Sequence, residues 1–440
     1  MKNFLKRLYH THPNNFLLKG MRITAHAAKN FQLGTAAVIR LLRWKLRKGS
    51  SQLPIRICFI QQDPNCWNKT RALFDLLQSD ARFRVSLLCV PDPFDQDTSS
   101  TVRFYRDQGY DAIDARIGDG PWDTQTSQGQ WFDIRSLAPD YVFYQQPYDP
   151  YLPALYRSAA VSRYARICLT PYGFALTKEF LTRIPKDFFR NLYRLYALSE
   201  TEKAENQNRF PVSHKLDLRR TYYFSPLVFA DFFRAKDKKS PSWEFSKNAF
   251  RVIWTPRWTT NKVLGGSNFF RYKDFLPAYA DQNPDIDILF RPHPMAFDNF
   301  IRTGEMTQDE VDAYIQGCND RSNTAIDKAK NYDSTFWQSS VLLTDISAII
   351  VEYFVTGKPI IFCETENRTS TYLDFFESIL SACYIARNDK DIEKHLAQLK
   401  AGIDPLAQKR KQIITKLFGE DPTQAPERIR QDLLSQENNQ

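Results

Sequence analysis

Two short stretches in the second half of the chain carry the residue types that phosphate chemistry needs. The first is Arg291-Pro292-His293-Pro294, directly behind the apolar run Ile286–Phe290, which reads as a β-strand. Two prolines stiffen that loop, so Arg291 and His293 are held in place. A histidine beside an arginine can stabilise or protonate a phosphate oxygen at neutral pH. The second stretch is Thr344-Asp345-Ile346-Ser347, between a strand over Val341–Leu343 and a helix over Ala348–Thr356. Unsatisfied backbone N–H groups at a helix start favour an anion such as a diphosphate. Asp345 is itself acidic and so caps the helix or orients its neighbours. Glu352, one turn in, can accept hydrogen bonds from ribose hydroxyls. Gly357 closes the helix, and Lys358-Pro359 opens the next strand, Ile360–Phe362. Each stretch alone also fits a structural role, a capped helix or a proline turn; two adjacent strand ends suited to phosphate point to a site.

The elements that must position these residues alternate along the chain. In the first half, strands are expected over Ile55–Ile60, Val85–Val90, Tyr141–Tyr144 and Ile167–Leu169, with helices over Lys69–Gln78, around Arg103 and near Leu152–Ser158. The third strand runs into Gln145-Gln146-Pro147-Tyr148-Asp149 and the fourth into the turn Pro171-Tyr172-Gly173. Open parallel sheets hold ligands at such strand ends. A Lys-, Ser- and Asp-rich segment, Ala235–Lys247, reads as a linker. The alternation then restarts with a strand over Arg251–Trp254 and a helix over Asn268–Ala280. Two βα arrays predict two sheets facing a cleft, and the residues after Glu420 read as a frayed polar end.

A chain of 440 residues is long enough for two cores. Its net charge of +10 is concentrated at one end: residues 1–50 hold eleven Lys/Arg and no Asp/Glu, leaving 49 basic against 50 acidic residues elsewhere. A nearly neutral body with one basic element argues against a nucleic-acid-coated protein. In that element Phe31, Val38, Ile39, Leu41, Leu42, Trp44 and Leu46 alternate with Arg40, Arg43, Lys45, Arg47 and Lys48, as in a helix lying on anionic lipid, an ordinary basic helix packed on the body and a nucleic-acid arm being the other readings. Its uncharged run Asn30–Ile39 falls short of the roughly 20 residues that span a bilayer, and the segment lacks the features of a secretory signal. Seven scattered cysteines without a CxxC pair predict a reduced compartment and no metal site.

Together the Arg291–Pro294 loop, Leu343-Thr344-Asp345-Ile346-Ser347 and Gly357-Lys358-Pro359-Ile360-Ile361-Phe362, in this order, resemble the CDP-glycerol glycerophosphotransferases of teichoic-acid and capsule synthesis. The resemblance covers the C-terminal half well and the first half loosely. It implies an α/β protein of GT-B architecture, two facing Rossmann-like domains: residues 52–234 for the acceptor and 248–418 for the nucleotide donor, with a membrane-associating extension at 1–51 and a polar tail at 419–440. It also implies transfer of glycerol phosphate, or a related polyol phosphate, from CDP-glycerol to a hydroxyl of a lipid-linked or polymeric acceptor at the cytoplasmic face of a membrane. No cofactor beyond the donor, no metal and no nucleic acid is expected. Ser347 and His293 would surround the diphosphate, with Arg291 beside them. The family's aromatic-plus-Arg segment is matched in part by Trp254-Thr255-Pro256-Arg257-Trp258, which adds Pro256 and Arg257 to the donor side. Three departures stand out. Ala348 replaces a second serine, Glu352 replaces an aspartate, and Tyr172-Gly173 replaces the first-domain His-Gly thought to supply the base. A neutral tyrosine is a poor base at pH 7, so Asp149 at the neighbouring strand end becomes the candidate, with Gln146, Tyr172 and Gly173 lining the acceptor side. A GT-B glycosyltransferase using a nucleotide sugar, and a non-catalytic membrane-bound relative, are the alternatives.

Overall fold

In the computed structural model, residues 31, 35, 53–95, 97–182, 185–262, 266–329, 331–365 and 370–438 are described. The basic amphipathic segment expected within residues 1–51 lies almost wholly outside them.

Two parallel sheets form the body. The first contains β1 (Ile55–Gln61), β2 (Phe83–Cys89) and β3 (Ala112–Asp114). A small antiparallel pair, β4 (Arg116–Ile117) and β5 (Gln130–Trp131), stands outside it. The sheet continues with β6 (Tyr141–Tyr144), β7 (Arg166–Leu169), β8 (Leu192–Tyr196) and β9 (Arg220–Tyr222), in the order β3-β2-β1-β6-β7-β8-β9. The second sheet contains β10 (Phe250–Thr255), β11 (Ile286–Phe290), β12 (Thr324–Ile326), β13 (Val341–Thr344), β14 (Ile360–Cys363) and β15 (Tyr384–Ala386), in the order β12-β11-β10-β13-β14-β15. The chain reverses its winding between β1 and β6 in one sheet and between β10 and β13 in the other. Ligands of open α/β sheets bind at such switch points, outside the carboxyl strand ends.

Why the central strands form is plain from their sequences. Ile55–Gln61 and Ile286–Phe290 are mostly apolar and almost wholly buried, as parallel strands covered by helices must be, with the buried Asp287 held by Ser246 and Asn248. The peripheral strands escape sequence reading because they are short or interrupted. β8, for instance, has Arg194 at its centre, fully buried and paired with Asp432. The expected helices are also more broken than their periodicity implies: Lys69–Gln78 becomes a 3₁₀ turn Pro64–Lys69 followed by the helix Arg71–Gln78, and Asn268–Ala280 splits into Phe269–Tyr272 and Phe275–Gln282.

Two expectations are corrected. The segment after Glu420 is no frayed tail: Ala425–Asn438 is a helix that crosses back onto the first domain. Ile429 and Leu433 are buried there, and Asp432 accepts hydrogen bonds from Arg194 Nε (3.1 Å) and Tyr196 Oη (2.9 Å). A few apolar positions and one buried ion pair suffice to dock an otherwise polar helix. The linker is docked as well: Trp243 is buried against the second domain and donates from Nε1 to the Thr335 carbonyl at 2.9 Å.

The domains share a core in which Phe174, Leu176, Phe229 and Phe232 of the first meet Phe336, Ile346, Phe376 and Phe418 of the second. The chain just beyond Tyr172-Gly173 pairs across this seam: Lys178 N–H donates to the Thr371 carbonyl and Leu373 N–H to that of Leu176, both at 2.9 Å.

Candidate active site

On the second domain, β10, β11 and β13 bring their carboxyl ends together. Thr344 is the last residue of β13, and its buried hydroxyl donates to the Thr255 carbonyl at 2.6 Å and accepts from the Thr255 hydroxyl at 2.9 Å. It staples β13 to β10. Asp345 is buried at 1 % exposure and accepts from Asn268 N (2.9 Å), Asn268 Nδ2 (2.9 Å) and Arg257 N (3.1 Å). Its carboxylate thus orients the loop behind β10 and the chain entering the helix Phe269–Tyr272. Pro256, directly behind β10, is buried.

Arg257 donates from Nη1 to the Ile346 carbonyl at 2.7 Å, while its buried Nε has no partner. Burial lowers the guanidinium's pKa, with Asp345 and Tyr372 acting in the opposite direction. A buried cation with an unsatisfied donor is a place for an anion. Ser347 sits directly behind, half-buried. Among the described residues its hydroxyl and the backbone N–H groups of Ser347, Ala348 and Ile349 make no hydrogen bond. The helix that follows is shorter than expected, Ile349–Phe354.

His293 stands exposed on the β11 loop. Its pKa is lowered to about 4, first by the crowding of the cleft walls, then by the Arg257 and Arg291 charges, with Asp63 of the first domain opposing them. Met295 N–H donates to Nδ1 at 3.1 Å. Since an N–H can only donate, Nδ1 is the acceptor and the neutral ring carries its proton on Nε2. At pH 7 His293 is therefore an uncharged hydrogen-bond donor.

Two residues expected to face the ligand are engaged elsewhere. The Arg291 guanidinium donates to Asp327 Oδ2 (2.5 Å) and the Ala329 carbonyl (2.9 Å) and lies over the Tyr332 ring, 4.8 Å from its centroid. It buttresses the loop and reaches His293 through its charge. Glu352 accepts from Lys69 Nζ and Tyr332 Oη, each at 2.6 Å. A carboxylate with 3 % of its surface exposed must be paired, and it takes its lysine from the other domain. A ribose hydroxyl would meet it only by exchange.

On the first domain, Gln145 locks β6 to β1: its Oε1 accepts from Gln62 N (3.0 Å) and Asp63 N (2.8 Å), and its Nε2 donates to the Asp63 carbonyl (2.6 Å). That presents Asp63, Gln146, Tyr172 and Gly173 at the cleft. Tyr172 shares a 3.0 Å hydrogen bond with Tyr148, and burial raises its pKa first, the Tyr148 hydroxyl second. It stays protonated. Asp149, the base candidate from the sequence, has both oxygens taken at 2.6 Å by Ser158 N and Ser158 Oγ. It caps the helix Ser158–Val161 instead, because that helix start offers it two donors.

The residue the sequence reading missed is Asp63, just past β1. Its Oδ1 holds Asn65 N (2.9 Å), whereas Oδ2 has only the Cys66 thiol at 3.3 Å and Gln146 Nε2 at 3.5 Å. It is half-buried and close enough to His293 for its charge to act on the ring. A polar loop behind a central strand was the available signal. A small pocket of about 80 Å³ between Arg56, Arg84 and Ser136 lies at the opposite edge of the first sheet. No group of His, Cys, Asp or Glu among the described residues is arranged to hold a metal ion, and no helix among them is long and apolar enough to cross a membrane.

Two parallel α/β domains with a cleft between their carboxyl edges, closed by a C-terminal helix that returns to the first, define a protein of the GT-B type. Solved structures agree in fold. The UDP-GlcNAc 2-epimerase from Neisseria meningitidis bound to UDP-GlcNAc superposes with a TM-score of 0.58 over 87 % of this chain and 100 % of its own, at 12 % identity. The wall teichoic acid polymerase TagF gives 0.56 over 96 % and 98 %, at 13 % identity. A His-to-Asn variant of TagF soaked with CDPG gives 0.54 over 99 % and 98 %, at 12 %. No curated protein matches the sequence significantly. Residues 243–435 match the family described as CDP-Glycerol:Poly(glycerophosphate) glycerophosphotransferase, which points to an enzyme of the glycerophosphotransferase type.

Proposed function

We propose that the chain transfers glycerol phosphate, or a related polyol phosphate, from CDP-glycerol to a hydroxyl of a lipid-linked or membrane-linked polymeric acceptor, releasing CMP. One observation carries the reading: the half-buried, incompletely satisfied Arg257 guanidinium stands beside the His293 Nε2–H and the open N–H groups of Ser347 to Ile349. Three kinds of donor converge there without an acceptor, which suits the two phosphates of a diphosphate.

In this reading the acceptor hydroxyl attacks the phosphorus bearing the glycerol, and the bond from that phosphorus to the bridging oxygen breaks. CMP departs with the bridging oxygen. Arg257 and the N–H groups hold the charge that collects on the departing phosphate, and His293 donates to a non-bridging oxygen. Asp63 takes the acceptor's proton, in place of Asp149. The basic segment within residues 1–51 holds the protein peripherally on an anionic surface at the cytoplasmic face, where a lipid-linked acceptor is presented.

Melting curves test the donor. A ligand at about 100 times its Kd stabilises the native state by about 2.7 kcal/mol, so CDP-glycerol and CDP should raise the melting temperature. Ser347→Tyr, which fills the space behind β13, should abolish the rise. A shift with UDP-sugars and none with CDP compounds would favour a glycosyltransferase, and no shift with any of them would favour a non-catalytic relative.

A further inference from the structure

The first-domain rim carries a continuous aromatic stripe that runs outward from Tyr172. Phe94, 73 % exposed, meets Tyr151 edge-on at 5.1 Å between centroids. Tyr151 meets Tyr148 at 5.5 Å, and Tyr148 meets Tyr172 at 6.4 Å, with the two hydroxyls 3.0 Å apart. These four rings come from three separate loops and lead from open surface to the strand ends facing His293. A largely exposed phenylalanine adds little to the core, whereas one that extends a ladder into a cleft lengthens a binding path.

The charge along this path has one sign. Asp63, Asp92 and Asp95 lie beside the stripe, close enough that Asp63 and Asp95 add to the burial that raises the Asp92 pKa. The arginines nearby are engaged: Arg103 with Asp97, Arg116 with Asp114 and Thr98, and Arg157 with the Leu152 and Gln125 carbonyls. A chain of phosphodiesters entering here would meet, among the described residues, carboxylates and ring faces and no unpaired cation, which opposes it. A sugar ring suits the path on both counts: its C–H face covers an aromatic ring, and its hydroxyls donate to carboxylates and tyrosine oxygens.

We infer that the stripe Phe94–Tyr151–Tyr148–Tyr172 is the acceptor subsite and that the acceptor's terminal unit is a neutral saccharide, not another polyol phosphate. The inference rests on the proposed transfer reaction and narrows its acceptor class.

Octyl β-glucoside and octyl glycerophosphate, matched in tail, are offered separately to the full chain with CDP-glycerol, and CMP release is followed. The glucoside should be the better acceptor, and Phe94→Ala and Tyr151→Ala should each raise its KM about two- to tenfold, with the KM for CDP-glycerol unmoved. Phe94 is exposed enough that its replacement leaves the fold intact. Better use of the glycerophosphate, or an unchanged glucoside KM in both variants, overturns the inference while leaving the transfer reading standing. If CMP is released with neither probe, saturation-transfer NMR decides. Ring-proton saturation of the glucoside that is lost in Tyr151→Ala upholds the subsite even where the transfer reading fails, and no saturation overturns it.

Discussion

Replacing Lys69 by Met removes the positive charge that Glu352 depends on across the domain seam. Lys69 Nζ lies 2.6 Å from Glu352 Oε2 and 2.9 Å from Tyr332 Oη, with 9 % and 4 % of the two ion-pair side chains exposed. Burial pulls the lysine's pKa down, but Glu352 and Tyr332 outweigh it and hold it above its ordinary value. Breaking a buried pair from one side costs about 3–5 kcal/mol, because the remaining charge is stranded. At about 2–4 °C per kcal/mol for domains of this size, the melting temperature should fall by roughly 6–20 °C. Lys69→Met combined with Glu352→Met removes both charges and should recover most of the loss. A base whose folded pKa is raised stabilises fully below its unfolded value of about 10.4 and loses that contribution only as pH rises through the folded one. The lysine's own contribution is therefore the same at pH 6 and pH 9, but the Glu352 carboxylate stranded in the single variant is disfavoured by burial as pH rises, so the deficit should be larger at pH 9 than at pH 6. Scanning calorimetry of the wild type, the single and the double variant reads all of this. A single variant melting within a degree of the wild type, or a double variant worse than the single, would refute the view that this pair holds the domains together.

His293→Ala should lower kcat by about 100- to 1000-fold with little change in the KM for CDP-glycerol, since its donor acts on charge that develops as the bond breaks. Asp63→Asn should lower kcat with acceptor at least as severely as Asp149→Asn lowers it, the latter acting mainly by loosening the helix Ser158–Val161, at a cost of about 1 kcal/mol read in urea unfolding. Glu202 is buried, its carboxyl pushed up to about 7 by that burial against the Leu198 N–H that it accepts. A raised acid loses stability as pH climbs from its unfolded value near 4.3, so Glu202→Gln should stabilise by about 1–3 kcal/mol at pH 8 and by progressively less toward pH 5. A chain lacking residues 1–48 should no longer sediment with anionic liposomes that retain the full chain at equal salt.

What the sequence makes legible is local. The apolar runs behind Thr255, Phe290 and Thr344 announce strands, and the polar or proline-stiffened residues after them announce a ligand edge. Arg257, His293 and Ser347 were reached in this way. What it hides is pairing between distant residues. Lys69 and Glu352 lie 283 positions apart, and neither Pro64–Lys69 nor the helix around Glu352 hints that one holds the other. Asp149 misleads for the opposite reason, because its partner Ser158 is only nine residues on and a local cap looks like a cleft carboxylate until the fold shows where both oxygens point. Arg194 inside β8 and the apolar positions of Ala425–Asn438 are hidden together, since each looks polar until they bury one another.

The most direct measurement is a single-turnover experiment with CDP-glycerol and a membrane acceptor fraction, following CMP by chromatography and glycerol incorporation by isotope. CMP and incorporated glycerol phosphate should appear together, one for one, with His293→Ala slowing both equally. Consumption of a UDP-sugar with CDP-glycerol left intact, or CMP release without incorporation in the presence of every acceptor fraction, would contradict the assignment.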